Sequence, residues 1–485
     1  MPQMSETSAR TTISEDWASV WLGLAIFVLS LGVLAGVDLL GWSATPRVWL
    51  DPAASVGAVA KSSGVLPFAA LAFTLIFVLA VTTLGARLLG VGLRRFLASF
   101  TVLLAIAYVC WIAGHYAYIA ATSDKLESLG IGWSLNLTGE AGYIVALVVG
   151  LVIGNFFKGA AAWFAPALRP EWYIKTAVVI MGAALGVKSA EAFGLANHVI
   201  LRGVCAVIEA YLIYWAIIYF VARRWFGFGR EWAVPLASGI SICGVSAAIA
   251  TGAAIRARPI VPITVSSLVV IFAVVELLLL PFLARQFLYD EPMVAGAWMG
   301  LAVKTDGAAI ASGAITESLI RSRALAEDGI AWADGWILMA TTTTKIFIDI
   351  FIGVWAFILA LIWAAKIEPR ATDRPRAAEI WARFPKFVIG YLLTFLVMLI
   401  LVRADPDVLP AARAATDESN VYRQLFFVLT FLSIGMVTDF GRLRREGMGR
   451  LAVVYGLSLF GFIIWVGLAI SWLFFAGVKP PVLTE

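Results

Sequence analysis

Apolar residues in this chain run in long blocks, not in the alternation of strands or the one-sided stripe of soluble helices. Short polar stretches separate the blocks. A hydrocarbon core of about 30 Å takes roughly 20 apolar residues per helix. On that measure the pattern predicts thirteen transmembrane helices. They fall near 19–42, 66–93, 96–121, 140–157, 172–190, 198–224, 232–255, 260–284, 293–317, 332–364, 385–404, 421–438 and 450–476. The longest connections, 43–65, 121–139, 365–384 and 405–420, leave no room for a soluble catalytic domain. The chain reads as an all-α polytopic membrane protein.

Residues 1–18 carry Glu6, Arg10, Glu15 and Asp16 and lack the basic start of a cleaved signal, so the first span is expected to stay. Organisation follows from the blocks: a cytoplasmic segment 1–18, a three-helix extension 19–139, two halves of five spans at 140–290 and 291–476, and a tail 477–485. The extension offers a scaffold or a homodimer surface. Most of the Lys and Arg outside the spans gather on one side if the N-terminus is cytoplasmic. That side takes Arg94, Arg95, Arg223, Arg224, Arg230, the basic stretch 366–386, and Arg442, Arg444, Arg445 and Arg450. The distribution predicts a cytoplasmic N-terminus and a periplasmic C-terminus in a plasma membrane.

Three segments interrupt the apolar runs and predict broken helices: Ser238–Ser246, Gly300–Gly307 and Ser433–Asp439. Unwound backbone inside a membrane is tolerated where it lines a cavity or holds an ion. Gly and Ser also let neighbouring helices approach closely, which is the other reading of each. If the last ten spans are five plus five, Gly150–Asn155 pairs with Gly300–Lys304, and the break at 238–246 pairs with that at 433–439. An odd count makes the halves inverted. The run Thr341–Thr344 could line a polar path or bond its own backbone carbonyls.

Composition narrows the function. With 61% hydrophobic and 14% charged residues, the chain is no disordered segment and no nucleic-acid binder, and its net charge of +5 fits loops facing anionic lipid. Cys110, Cys205 and Cys243 are odd in number, and with His115 and His198 they show no zinc spacing, so neither a disulfide framework nor a metal centre is expected. No cofactor motif is present.

Charges inside spans carry the strongest signal, because each costs at least about 2.5–3.5 kcal/mol at the centre of a helix. Lys304 and Asp306 flank Thr305 in a predicted break. Lys345 and Asp349 share a helix face and form either a buried ion pair or part of a site. Glu209 and Glu276 are candidate proton carriers or buried neutral acids.

The strings Pro170–Thr176 with Val178–Ala183, Ser241–Thr251, Gly296–Gly300 and Leu432–Asp439 resemble the signatures of the sulfate exporter family of bacterial inner-membrane proteins. The resemblance runs from about 140 to 476 and includes the longer N-terminal extension of some members. It implies a secondary transporter with a 5+5 inverted-repeat core of broken helices, similar to sodium/proton antiporters and bile-acid symporters. One departure is that Lys304-Thr305-Asp306-Gly307 stands where the family pattern has Asp-Ser-Thr-Gly, which puts an inherited cation site in doubt.

Two readings follow. In the first, a sulfate-like anion is exported by alternating access. Half-helix N-termini with Ser241, Ser246 and Thr305 bind it, Gly244 and Gly307 allow close approach, Lys304 supplies charge, Asp306 couples a proton or sodium, and Asn155 supports the crossing. In the second, Asp306 is the ion-binding carboxylate of a cation/proton antiporter, and Lys304 is its pairing partner, released when the ion binds. A membrane sensor or intramembrane enzyme would show a Ser/His, paired-Asp or His-Glu-x-x-His arrangement, and the spans show none.

Overall fold

The computed structural model describes residues 13–60, 63–121, 125–135, 137, 139, 141–258, 260–367, 381, 384–441 and 448–483. The charges Glu6, Arg10, Arg442, Arg444 and Arg445 and most of the basic stretch 366–386 lie outside these residues. The chain is mostly helical, with one small antiparallel β-hairpin, β1 (Ala44–Pro46) on β2 (Val56–Ala58), in register Ala44↔Ala58.

The extension supplies α1 (Glu15–Ser30), α2 (Pro67–Leu88), α3 (Leu93–Gly114) and the short α4 (Ala117–Ala120). Next come α5 (Ala141–Phe156), α6 (Lys158–Phe164) and α7 (Pro170–Glu191). One long bent rod follows, built of α8 (Phe193–Gly203), α9 (Cys205–Val207), a π-helical stretch Ile208–Tyr214, α10 (Trp215–Phe220) and a second π-helical stretch Val221–Trp225. Beyond it lie α11 (Arg230–Ser241), α12 (Ser246–Ala254), α13 (Ile260–Phe287), α14 (Pro292–Ala302), α15 (Asp306–Asp328), α16 (Trp336–Ile350) and α17 (Ile352–Ile362). The chain closes with α18 (Phe387–Ala404), α19 (Leu409–Val437), α20 (Gly449–Ser458) and α21 (Ile464–Phe475).

Among the described residues, ten helices are long and apolar enough to cross a membrane, and the pair α5–α6, bent by 115°, makes up to eleven. α5 runs from Gly142, which lies against Gly114 at the end of α3, to Asn155, which bonds Thr438 at the end of α19. Thirteen spans were expected, and the difference is physical. The predicted spans 232–255 and 293–317 are not crossings but hairpins.

The first hairpin is α11–α12. Its two ends meet, because the Arg258 backbone N–H donates to Glu231 Oε1 at 2.7 Å and Arg258 Nε to the same oxygen at 3.0 Å. Across the V, a Cβ on Gly239 would stand 3.4 Å from the Ala248 Cβ. The second hairpin is α14–α15. Both arms flank α16: a Cβ on Gly296 would come within 2.4 Å of the Ile337 carbonyl, and one on Gly313 within 2.5 Å of Thr341 Oγ1. Arg323, far along the returning arm, reaches back to the Arg285 and Gln286 carbonyls at the end of α13. α13 spans between the hairpins, so they enter from opposite faces. A hydropathy window sums two short apolar arms and cannot see that the second turns back.

The expected break at 433–439 is also corrected. α19 runs uninterrupted to Val437, and Thr438 closes its end. Ser433 and Gly435 serve packing instead: Gly150, Gly154 and Gly435 bring α5 and α19 so close that a Cβ on Gly150 would sit 2.3 Å from the Leu432 carbonyl. With α19 unbroken, the break at 238–246 has no matching break at 433–439. The break at 242–245 meets the one at 303–305.

Tight glycine contacts sort the helices into two bodies. α7 packs on α18 through Gly182 and Gly186, and α1 on α7 through Gly23, in one body with α5 and α19. In the other, Gly203 meets Thr343, Gly300 meets Thr344 and Gly467 meets Tyr214, which joins the bent rod, hairpins, α16 and α21.

Candidate functional site

The two hairpin tips touch. The Gly244 N–H donates to the Lys304 carbonyl at 2.6 Å, and only a glycine fits there, since a Cβ would stand 2.2 Å from Val269 Cγ1. Each tip is also held by an ionisable residue of the span that follows the other hairpin. Glu276 of α13 accepts the Lys304 N–H at 3.0 Å, and Lys345 of α16 donates to the Ile242 carbonyl at 2.9 Å. The swap is the contact pattern of two hairpin–span units of opposite sense.

Around this junction sit two charge clusters. The first contains Asp306, Asp349, Lys345 and Cys243, all buried. Lys345 Nζ lies 3.3 Å from Asp306 Oδ1 and 3.9 Å from Asp349 Oδ1, and the Cys243 thiol donates to Asp306 Oδ1 at 2.9 Å. Both Asp349 carboxylate oxygens lack a hydrogen bond. The second contains Lys304, Glu209 and Glu276. Tyr455 donates to Glu276 Oε1 at 3.0 Å, Lys304 Nζ donates to the Leu301 carbonyl, and the ammonium stands 4.5 Å from the centre of the Tyr214 ring. Glu209 is buried with both oxygens unbonded. Each lysine thus satisfies a carbonyl at the C-terminal end of an entering arm, where a cation is favoured.

Most of the expected site residues come together here, but not all. Thr305 caps α15 by accepting the Ala308 N–H at 3.2 Å, and Asp306 begins that helix. Ser246 opens α12, half-exposed, with no side-chain cap at that terminus. Gly307 faces the other body, with Ile174 and Thr430 at ordinary contact distance. Ser241 turns its hydroxyl back to the Ala237 carbonyl. Asn155 is elsewhere: its Nδ2 donates to the Leu151 and Thr438 carbonyls and its Oδ1 accepts the Phe440 N–H, so it clamps α5 to α19 and does not support the crossing. Thr341, Thr342 and Thr344 bond backbone carbonyls.

Two participants are not singled out by spacing in the sequence. Cys243 has no partner for a disulfide or zinc motif, and its signal is that it is the one thiol inside a predicted break. Lys175, beside Ile174, is buried and pairs with Asp16 at 2.9 Å and Glu171 at 3.7 Å, which ties α1 to α7.

A cavity of about 550 Å³ lies between the two bodies on the face away from Glu15, lined by α7, α15, α16 and α19. Lys188 and Asp334 bridge its rim at 2.5 Å, and Arg413 and Glu191 pair at 2.9 Å. Burial raises Asp334, but the adjacent Lys188 ammonium and its hydrogen bond outweigh this and hold the carboxyl below its usual range. On the opposite face, ion pairs tie the helix ends of the first body to one another: Arg169 bonds Glu15, and Lys158 pairs with Asp439 at 3.0 Å.

The sequence model of a family described as Conserved hypothetical protein 698 matches residues 117–454. A UPF0324 membrane protein of Nitrosomonas europaea is 45% identical over 475 residues, 97% of each chain. An uncharacterized protein of Archaeoglobus fulgidus is 52% identical over 164 residues, 30% of this chain and 88% of its own. A UPF0324 membrane protein of Nitratidesulfovibrio vulgaris is 27% identical over 413 residues, 83% of this chain and 63% of its own. No solved structure matches. These descriptions name a membrane protein and no substrate, so the sulfate exporter expected from the sequence narrows to membership of a membrane family.

Proposed function

This chain belongs to the UPF0324 membrane protein family, and on that premise we propose that it is a secondary active transporter of a small anion, sulfate or a related sulfur oxyanion, coupled to protons. The observation that carries the reading is the junction of two opposed hairpins beside buried, incompletely bonded carboxylates. Intramembrane ionisable residues in that setting mark ion pathways. The anion would sit against the uncapped N-terminus of α12 and near Thr305, with Lys345 as its charge partner; Lys304 is engaged by Leu301 and Tyr214. Two carboxylates, Asp306 and Asp349, face the one Lys345 ammonium, so an anion that approaches Lys345 needs a compensating positive charge, which a co-transported proton supplies. Export is the direction that the sequence resemblance implies, from a bacterial inner membrane with the N-terminus cytoplasmic.

Motion is supported by the packing. Within each body glycines press on backbone atoms, whereas between the bodies Gly307 meets Ile174 and Thr430 at 3.6 and 3.7 Å and Gly335 presses only on the flexible Lys188 side chain. Sliding of α15 along α7 and α19 would close the cavity and expose the hairpin tips to the opposite face.

A second reading, cation/proton antiport at Asp306, is favoured by charge count. Four carboxylates (Asp306, Asp349, Glu209, Glu276) face two ammonium groups (Lys304, Lys345) around the tips. Labelled-sulfate flux in proteoliposomes, at acidic and neutral pH, separates the two. Saturable flux that rises at acidic pH and is lost in Lys345→Ala supports the anion reading. Absence of sulfate flux, with a pH gradient that sodium or potassium collapses, assigns Asp306 to a cation instead.

A further inference from the structure

We propose that Cys243, Asp306 and Asp349 form a binding site for a thiophilic divalent cation of the zinc class. The proposal rests on the reading that ions reach the hairpin tips, and it adds a ligand chemistry that transport of anions or protons does not require.

The donor atoms are already assembled. One ligand atom each from Cys243, Asp306 and Asp349 lies within 4.8 Å of the others, and all three residues are buried. Zinc bonds of about 2.0–2.3 Å place neighbouring ligands of a tetrahedron roughly 3.5 Å apart, so a closure of about 1 Å completes the shell. The thiol alone would point to nothing. The second observation is Asp349, whose carboxylate is 1% exposed, carries no hydrogen bond on either oxygen, and faces the same point as the thiol. The cation now nearest that point is the Lys345 ammonium, 3.3 and 3.9 Å from the two carboxylates. Three protein ligands would then hold the metal, with the fourth tetrahedral position open.

Charge makes the exchange feasible. Thiol, two carboxylates and ammonium sum to −1. Metal dication, thiolate, two carboxylates and ammonium sum to zero. One divalent cation binds by forming one M–S and two M–O contacts, and the thiol proton departs; nothing is oxidised or reduced. Burial of a net new charge, which costs several kcal/mol per ion, is thereby avoided. The donor set also selects the metal. Mg²⁺ and Ca²⁺ seek six or more oxygens and would leave the sulfur idle, whereas a sulfur with two carboxylates suits zinc and its congeners.

The test is direct binding to the purified full-length protein, with cadmium as probe because its thiolate bond gives an ultraviolet charge-transfer absorption. The expected result is a saturable band of one cadmium per chain, displaced by zinc and not by magnesium. Cys243→Ser should remove the band, and Cys205→Ser should keep it. Asp349→Asn, nearly isosteric and able to fold if Cys243→Ser does not, should retain the band but shift its midpoint to cadmium concentrations at least ~10-fold higher. A band that survives Cys243→Ser, a midpoint unmoved by Asp349→Asn, or no band at millimolar cadmium would overturn the proposal. Because the readout is binding, failure here leaves the flux experiment untouched, and failure of sulfate flux leaves this one readable.

Discussion

Lys304 and Lys345 look alike in the sequence, each a lysine two to four residues before an aspartate inside an apolar run, yet they occupy different chemical settings. Lys345 holds two carboxylates and the tip of the opposing hairpin; Lys304 turns away to a carbonyl and an aromatic face. Replacing Lys345 by alanine leaves buried carboxylates without a counter-charge, a change that costs about 3–5 kcal/mol. Thermal unfolding should show a large loss for Lys345→Ala, partly recovered in Lys345→Ala/Asp349→Asn, and equal losses would contradict the pairing. Flux should fall further in Lys345→Ala than in Lys304→Ala. The sequence made Lys304, Asp306, Lys345 and Asp349 legible because each breaks an apolar run. It could not say which lysine meets which acid, since that depends on where two hairpins end. Asn155 illustrates the reverse case: its place beside glycines suggested a crossing, but those glycines press α5 onto α19. Asn155→Ala should cost about 1–2 kcal/mol of stability, the value of lost hydrogen bonds, and leave flux per folded molecule unchanged.

At the scale of elements, hydrophobic blocks located nearly every crossing, including α1 to α3 and α18, because lipid contact writes itself into composition. The same blocks misread α11–α12 and α14–α15 as spans. Ser238–Ser246 and Gly300–Gly307 did mark the tips, but a tip and a kink share the same glycines and serines; what separates them is the ion pair Glu231–Arg258 at the open end, which hydropathy does not register. The glycines are a sharp test of the packing. A Cβ on Gly300 would fall 2.6 Å from the Thr341 carbonyl, a backbone atom, whereas one on Gly307 meets nothing closer than 3.6 Å. Gly300→Ala should therefore lose folded protein in size-exclusion chromatography while Gly307→Ala keeps it; equal yields would deny that the second hairpin is pressed onto α16.

The whole molecule is two glycine-locked bodies with a polar cavity between them on one face. The extension, whose role the sequence left open, belongs to the α7–α18–α19 body: Asp16 reaches Lys175 and the Lys386 N–H, and Ser43 bonds Tyr422 at 2.5 Å. Across the cavity rim, the depressed Asp334 carboxyl gives the Lys188 bridge its full strength above the unfolded value near 3.9, and the bridge weakens as pH falls below it. Exposure keeps the contribution under about 1 kcal/mol, so stability should drop only slightly more steeply with acid in the native chain than in Asp334→Asn. The central claim, that two hairpins enter from opposite faces and meet at Asp306 and Lys345, is tested most directly by sided cysteine labelling. In a cysteine-free chain in intact membranes, Glu231→Cys and Arg258→Cys should react with an impermeant maleimide from the same side, and Glu327→Cys from the other. Labelling of positions 231 and 258 from opposite sides would make 230–254 a span and remove the junction on which the site depends.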